Sequence, residues 1–124
     1  MSWQAWADNV TSSGFKQGAI YGQQGGCWAA SGGLDLKGNE HANLVAAFRD
    51  ASGVRGQGLW VNGVKYIALQ CDSECLMGRK GDTGVICIKT KQAILIGVYD
   101  ASLQAGEANK RLTNIAASLS ATGY

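Results

Sequence analysis

The stretch "LWVNGVKYIAL", residues 59–69, constrains the fold more than any other part of the chain. Asn62 and Gly63 sit between two runs of β-branched, aromatic and aliphatic residues. Asn-Gly is the pair that a two-residue type I′ hairpin asks for, because both central residues must take positive φ. Four further β-rich segments follow: "VKYIALQCD", which is the second arm of that hairpin, then "CLMGRK", "GVICIKTK" and "AILIGVYD". The turns between them are too short for helical crossovers, so these strands must pair as a largely antiparallel meander.

Helical periodicity appears in three places. Ser2 can cap a helix on which Trp3, Trp6 and Val10 share a face, ended near residue 10 by the cluster Thr11, Ser12, Ser13 and Gly14. "NEHANLVAAFRD" carries a stripe of Leu44, Ala47 and Phe48, and the terminal "AGEANKRLTNIAASLSATGY" carries Leu112, Ile115, Ala116 and Leu119, with Gly123 past its end. Between the first two helices, "GAIYGQ" and "CWAASG" read as a hairpin around Gln24, Gly25 and Gly26. The expected architecture is α+β: a central antiparallel sheet with the amino- and carboxy-terminal helices on one face and the shorter inner helix on the other. At 124 residues this is one domain, 1–124, without repeats or linkers.

Composition narrows the function classes. The chain is 46% hydrophobic and 16% charged, too apolar for disorder, and its longest clearly apolar run, residues 93–99, is far too short to span a bilayer. No basic region or apolar signal core follows Met1, so a cytoplasmic location and free thiols are expected for Cys27, Cys71, Cys75 and Cys87. The spacing allows Cys71 and Cys75 as cross-strand neighbours. One histidine and four scattered cysteines do not make a zinc set, so no metal and no cofactor is expected. Net charge is +2, which calls for no nucleic acid. Within residues 79–91, however, four basic residues face one acid, while the rest of the chain has seven basic residues against eight acids.

No catalytic constellation is visible. His41 stands alone on a helix read as surface, where a solvated ring is the ordinary case. No serine sits in a nucleophile-elbow pattern, "GQQGGCW" lacks the lysine and hydroxyl of a phosphate loop, and the acids are scattered singly. The chain is therefore read as a binding protein rather than an enzyme. Two tryptophans within the first six residues and a final tyrosine must either pack or be displayed.

Taken in order, Trp3 and Trp6 at the amino end, "CWAAS", "GVKYIAL", "GRKGDTGVICIKT", "AILIGVYD" and a terminal helix ending in Gly-Tyr resemble the profilin family over essentially the whole chain, especially its short amoeboid and plant types. The resemblance implies a monomer that binds monomeric actin, proline-rich proteins such as formin-type assembly factors, and phosphoinositides, acting at the cytoskeleton. It assigns polyproline binding to Trp3, Trp6, Trp28, Ser118, Leu119 and Tyr124. Flat aromatic walls with indole and phenol donors suit the rigid rings and unpaired carbonyls of a polyproline II helix. Trp6 stands where a tyrosine is common, and Ser118 where some animal members carry histidine.

Actin binding is implied for Lys65, Gln70, Arg79, Lys80, Lys89, Leu103, Gln104, Gly106, Glu107, Asn109, Lys110 and Thr113, with Gln70 at a position that is arginine in animal members. A phosphoinositide site is implied at Arg79, Lys80, Lys89 and Lys91, where each basic side chain near an anionic surface is worth about 1 kcal/mol. Two other readings are compatible with the residues: a proline-peptide adaptor without actin affinity, and a small-ligand sensor on a similar fold.

Overall fold

In the computed structural model of the protein, which describes residues 2–124, the elements run α1 (Trp3–Ser12), β1 (Gln17–Gly22), β2 (Cys27–Ser31), α2 (Glu40–Arg49), α3 (Ser52–Gln57), β3 (Leu59–Val61), β4 (Val64–Cys71), β5 (Cys75–Lys80), β6 (Thr83–Lys89), β7 (Ala93–Tyr99) and α4 (Ala105–Ala121). The seven strands form one antiparallel sheet in the order β2-β1-β7-β6-β5-β4-β3. The meander from β3 to β7 is as the short turns require. Its last strand then pairs with β1, and α1 and α4 pack on the same face of the sheet.

Each face of the sheet has its own core. On one side α2 buries Leu44, Ala47 and Phe48 against Tyr21, Leu59, Tyr66, Leu76, Val85 and Ile94. On the other, α1 and α4 bury Val10, Leu112, Ile115 and Leu119 against Ile20, Ile86, Ile88 and Leu95, with Trp3, Trp6 and Trp28 packed at the margin. This is the two-faced arrangement that the apolar stripes demand.

Local chemistry explains the boundaries. The Ser2 hydroxyl accepts the Ala5 N–H at 3.1 Å and starts α1. Asn62 and Gly63 take φ of 54° and 77°, so the hairpin turn has the expected backbone. A single acidic side chain reinforces it: buried Glu40 accepts the N–H of Asn62 and of Gly63, both at 2.7 Å, and that of Lys37 at 2.9 Å. Glu40 thus ties the start of α2 to the β3–β4 turn.

Three local readings of the sequence need correction. Helix α3 was not expected, since Gly53 and Gly56 disfavour a helix. Tertiary contacts supply what propensity lacks, with Val54 packed on the α2-side core and the Arg55 guanidinium donating to the Cys71 carbonyl at 3.1 Å. His41 is not a solvated surface ring: it is half-buried, its Nε2 lies 2.8 Å from the Gly22 carbonyl, and its ring packs 5.1 Å from that of Tyr21. Cys71 and Cys75 are not cross-strand neighbours, because Cys71 is opposite Leu76 and Cys75 is opposite Ile88. All four cysteines are free thiols.

Candidate functional site: an aromatic trough and a separate strand face

The first site is built where α1, β2 and the chain end meet. Helix α1 offers Trp3 and Trp6 one turn apart. Strand β2 offers Trp28 from the sheet edge, on the face that α1 covers. The third contributor depends on how α4 stops. The Gly123 N–H bonds the Ser120 carbonyl at 3.0 Å and the Tyr124 N–H reaches the Leu119 carbonyl at 3.4 Å, a Schellman closure. Gly123 has φ of 104°, a conformation that side-chain-bearing residues rarely take.

The turn folds Tyr124 back onto the β6–β7 connection. There its main-chain oxygen accepts from the Gln92 N–H at 2.6 Å and the Thr90 hydroxyl at 2.7 Å. The Gln92 amide adds a bond to the Gly123 carbonyl at 3.0 Å.

The three rings consequently converge. Trp3 and Trp28 have centroids 4.6 Å apart, Trp3 meets Tyr124 edge-on at 4.8 Å, and Trp28 meets Tyr124 edge-on at 6.1 Å. Trp3 and Trp28 are half-buried and Tyr124 is 40% exposed, so the cluster is anchored but open. Edge-to-face packing fixes the rings against each other and leaves faces available.

Trp6 is half-buried against the same core and forms no ring pair with these three among the described residues. Ser118 is exposed on α4, its hydroxyl bonded to the Asn114 carbonyl at 3.1 Å. Leu119, expected to line the surface, is fully buried. It belongs to the core on which Trp3, Trp6 and Trp28 pack, where no ligand can touch it.

The second site lies on the outer side of β4 and β5. Alternation puts Lys65 and Ile67 of β4 and Met77 and Arg79 of β5 on the side of the sheet that carries α4, and Leu69, the extra residue of a bulge between Ala68 and Gln70, lines a groove with Arg79 and Leu103 on that side. Helix α4 lies over β6 and β7, so this strip stays open: Ile67 is 69% exposed and Leu69 59% exposed. Neither residue was singled out from the sequence. The available signal was that β4 carries apolar residues on both faces while the two terminal helices together cannot cover a whole sheet.

Next to the strip is a groove of about 290 Å³ lined by Leu69, Arg79, Tyr99, Leu103 and Gln104 among others. Arg79 is held by a 2.8 Å bond from its Nε to the Gly81 carbonyl. Asp100, also in the groove wall, has its carboxyl held below the usual range by bonds from the Ser102 hydroxyl and N–H, with Lys16 3.4 Å away.

The remaining expected residues divide. Gln70, Gln104, Gly106, Glu107, Lys110 and Thr113 are exposed beside this strip or on α4, Asn109 is half-buried, and Leu103 is buried in the groove floor. Lys80 is different. It alternates with Leu76 and borders a depression with Val64, Tyr66 and Val98, which places it on the α2 side of the sheet, opposite Arg79. Lys89 alternates with Val85 and Cys87 toward that same side.

The four basic residues therefore do not gather. Lys80 pairs with Thr83 at one end of the β5–β6 hairpin, and Lys89, six residues along β6, is at the other, about 20 Å away. Arg79 and Lys80 lie near one end of the hairpin and Lys89 and Lys91 near the other, so no single phosphoinositide headgroup spans the set. Among the described residues no group of three histidine, cysteine or acidic side chains is placed to hold a metal ion, and no helix is long and apolar enough to cross a membrane.

The profilin family model matches residues 1–124. The chain belongs to the profilin family. It is 39% identical over 118 residues to the profilin of Saccharomyces cerevisiae, covering 94% of each chain. With profilin-2 of Acanthamoeba castellanii it shares 38% identity over 126 aligned positions, covering both chains completely.

The crystal structure of Acanthamoeba castellanii profilin II superimposes with a TM-score of 0.93 at 37% identity, over 99% of this chain and all of that one. A more distant profilin, mouse profilin IIa in complex with a double repeat from the FH1 domain of mDia1, shares the fold at a TM-score of 0.81 and 18% identity, over the full length of both chains. The curled seven-stranded sheet with flanking terminal helices is thus the profilin fold.

Proposed function

We propose that this profilin binds monomeric actin on the outer face of β4 and β5 together with α4, and holds proline-rich segments in the Trp3–Trp28–Tyr124 trough. The convergence of rings from residues 3, 28 and 124 is the observation that carries the reading. A polyproline II helix has little conformational entropy to lose, presents flat pyrrolidine faces and leaves its carbonyls unpaired. Half-exposed indoles supply both an apolar face and an N–H donor. The FH1 double repeat bound by the mouse relative is the kind of ligand the reading requires.

The two surfaces are far enough apart for simultaneous use. Trp28 is on β2 and the apolar strip begins on β5, four strand positions away in the sheet, or about 19 Å. The strip combines exposed apolar residues with Lys65 and Arg79. In such a surface the desolvated centre supplies affinity and the charged rim steers docking. Tethering an actin-loaded profilin to a proline-rich assembly factor raises the local monomer concentration at a growing filament without any chemistry in the carrier. Such partners place the activity in the cytoplasm, at the cytoskeleton.

Titrating intrinsic tryptophan fluorescence with polyproline tests the trough, because two of its three rings are indoles. A saturable change that disappears in Trp3→Ala supports the reading; an unchanged spectrum sinks it. Comigration with monomeric actin on a sizing column tests the strand face separately. Retention of polyproline binding without an actin complex would leave a proline-peptide adaptor.

A further inference from the structure

Beyond Trp28 the trough does not end at the protein surface. It continues into a depression of about 250 Å³ between the β1–β2 turn and the β6–β7 turn, lined by Gly22, Gln23, Gln24, Gly25, Trp28, Lys91 and Gln92. Two residues belong to both places. Trp28 walls the trough and the depression, and Gln92 both lines the depression and holds the Tyr124 main chain.

The depression is also fixed in shape. The Gln23 amide donates to the Thr90 carbonyl at 2.6 Å, its N–H bonds the Gln92 carbonyl at 3.0 Å, and any Cβ at Gly22 would come within 2.8 Å of the Trp28 indole nitrogen.

Its chemistry differs from that of the trough. The lining is amide and ammonium rather than aromatic, which is poorly matched to a proline ring. No Asp or Glu side chain lines it, and the Tyr124 main-chain oxygen is held at its edge by the Gln92 N–H. Among the described residues Lys91 forms no ion pair, since the three present join Lys16 to Asp100, Lys37 to Asp35 and Arg111 to Glu107. A second depression on the far side of the β1–β2 turn adds His41 and Arg49, again without a carboxylate, and Arg49 is likewise outside those three pairs. A peptide leaving the trough past Trp28 therefore meets the Lys91 ammonium and the Gln24 amide and no acidic side chain.

We propose that this depression selects proline-rich ligands in which an acidic residue flanks the proline run, the carboxylate being received by Lys91 beside the Gln24 amide. The inference rests on the trough reading above and adds a rule for which proline-rich segments are preferred. Because the ammonium is exposed, the gain is that of a surface ion pair, about two- to fivefold in affinity, and it is sensitive to salt.

The test uses end-capped decaproline peptides extended at either end by two glutamates, two glutamines or two lysines, titrated against tryptophan fluorescence of the whole protein at low salt. The expected result is tighter binding of a glutamate-extended peptide than of its glutamine counterpart at one end. That gap should close in Lys91→Gln, whose affinity for the glutamine peptide is unchanged, and the lysine peptide should bind most weakly to the unmodified protein. Equal affinities for glutamate and glutamine peptides at both ends would overturn this inference and leave the trough standing. A gap that survives Lys91→Gln would also overturn it. Failure of every peptide to bind would instead remove the trough reading beneath it.

Discussion

Glu40 and Gly63, 23 residues apart in the chain, are joined by a 2.7 Å hydrogen bond from the Gly63 N–H to the buried Glu40 carboxylate. The same carboxylate accepts from Lys37 and Asn62, so one side chain closes the turn of a hairpin and the start of a helix at once. Removing it in Glu40→Ala leaves three backbone donors without their acceptor. The expected loss is about 3 kcal/mol of unfolding free energy, with a smaller loss in Glu40→Gln, which keeps one acceptor oxygen. Urea denaturation measures both, and a change under about 0.5 kcal/mol in Glu40→Ala would show that the clamp carries no weight.

Trp3→Ala and Trp28→Ala should each weaken polyproline binding by about 2 kcal/mol or more, roughly thirtyfold, while the fold persists. Leu119→Ala should behave differently, because the side chain is fully buried. Its main effect is a stability loss of about 2–5 kcal/mol from the cavity left in that core. Fluorescence titration and urea denaturation on the three variants separate contact from support.

Ile67→Glu and Leu69→Glu change exposed side chains on β4, so stability should move by no more than about 0.5 kcal/mol. Comigration with actin should be lost in both. Lys80→Glu, on the other side of the sheet, should be the milder change. Equal loss in all three would contradict the division by face.

Gly18 lies directly under α1, where an added Cβ would come within 2.6 Å of the Val10 side chain. Gly18→Ala should cost about 1–3 kcal/mol through overpacking. It should also reduce polyproline affinity, because α1 must shift and carries Trp3 with it. Calorimetric titration of the folded variant reads the second effect independently of the first.

At neutral pH a thiol reagent should modify exposed Cys27 quickly, half-buried Cys75 more slowly, and buried Cys71 and Cys87 only on unfolding. Burial pushes the Cys75 thiol up from 9.0 to about 11, and that of Cys87 further still. The folded chain therefore holds these protons more tightly than the unfolded one. Their contribution to stability is complete below pH 9 and declines as pH rises from there through the folded-state value, because only the unfolded chain releases the proton. Urea midpoints measured between pH 7 and pH 10.5 should fall at the alkaline end, and a flat profile would contradict the burial of these thiols.

The parts of the molecule legible in the sequence are those governed by neighbours in the chain. Asn62-Gly63 specified its turn, Ser2 its cap, and the spacing of Leu112, Ile115, Ala116 and Leu119 its helix face, because each depends on backbone geometry or period alone. What escaped depends on partners distant in sequence. Glu40 looked like a scattered acid because the donors it serves in the β3–β4 turn lie 22 and 23 residues away.

His41 looked solvated because the Gly22 carbonyl and Tyr21 ring come from β1, about twenty residues earlier in the chain. Arg79 and Lys80 look like one basic cluster in a string of letters, yet adjacent strand residues point to opposite faces. Ile67 and Leu69 read as ordinary strand apolar residues, and only the reach of α4 decides that they are left uncovered.

Tyr124 owes its place to Thr90 and Gln92, while its ring meets one indole from residue 3 and another from residue 28. All four tryptophans are in place by residue 60, so the proposed trough would be complete only once Tyr124, far down the chain, has docked. A copy lacking that tyrosine would keep both indoles but lose the ring that meets them edge-on.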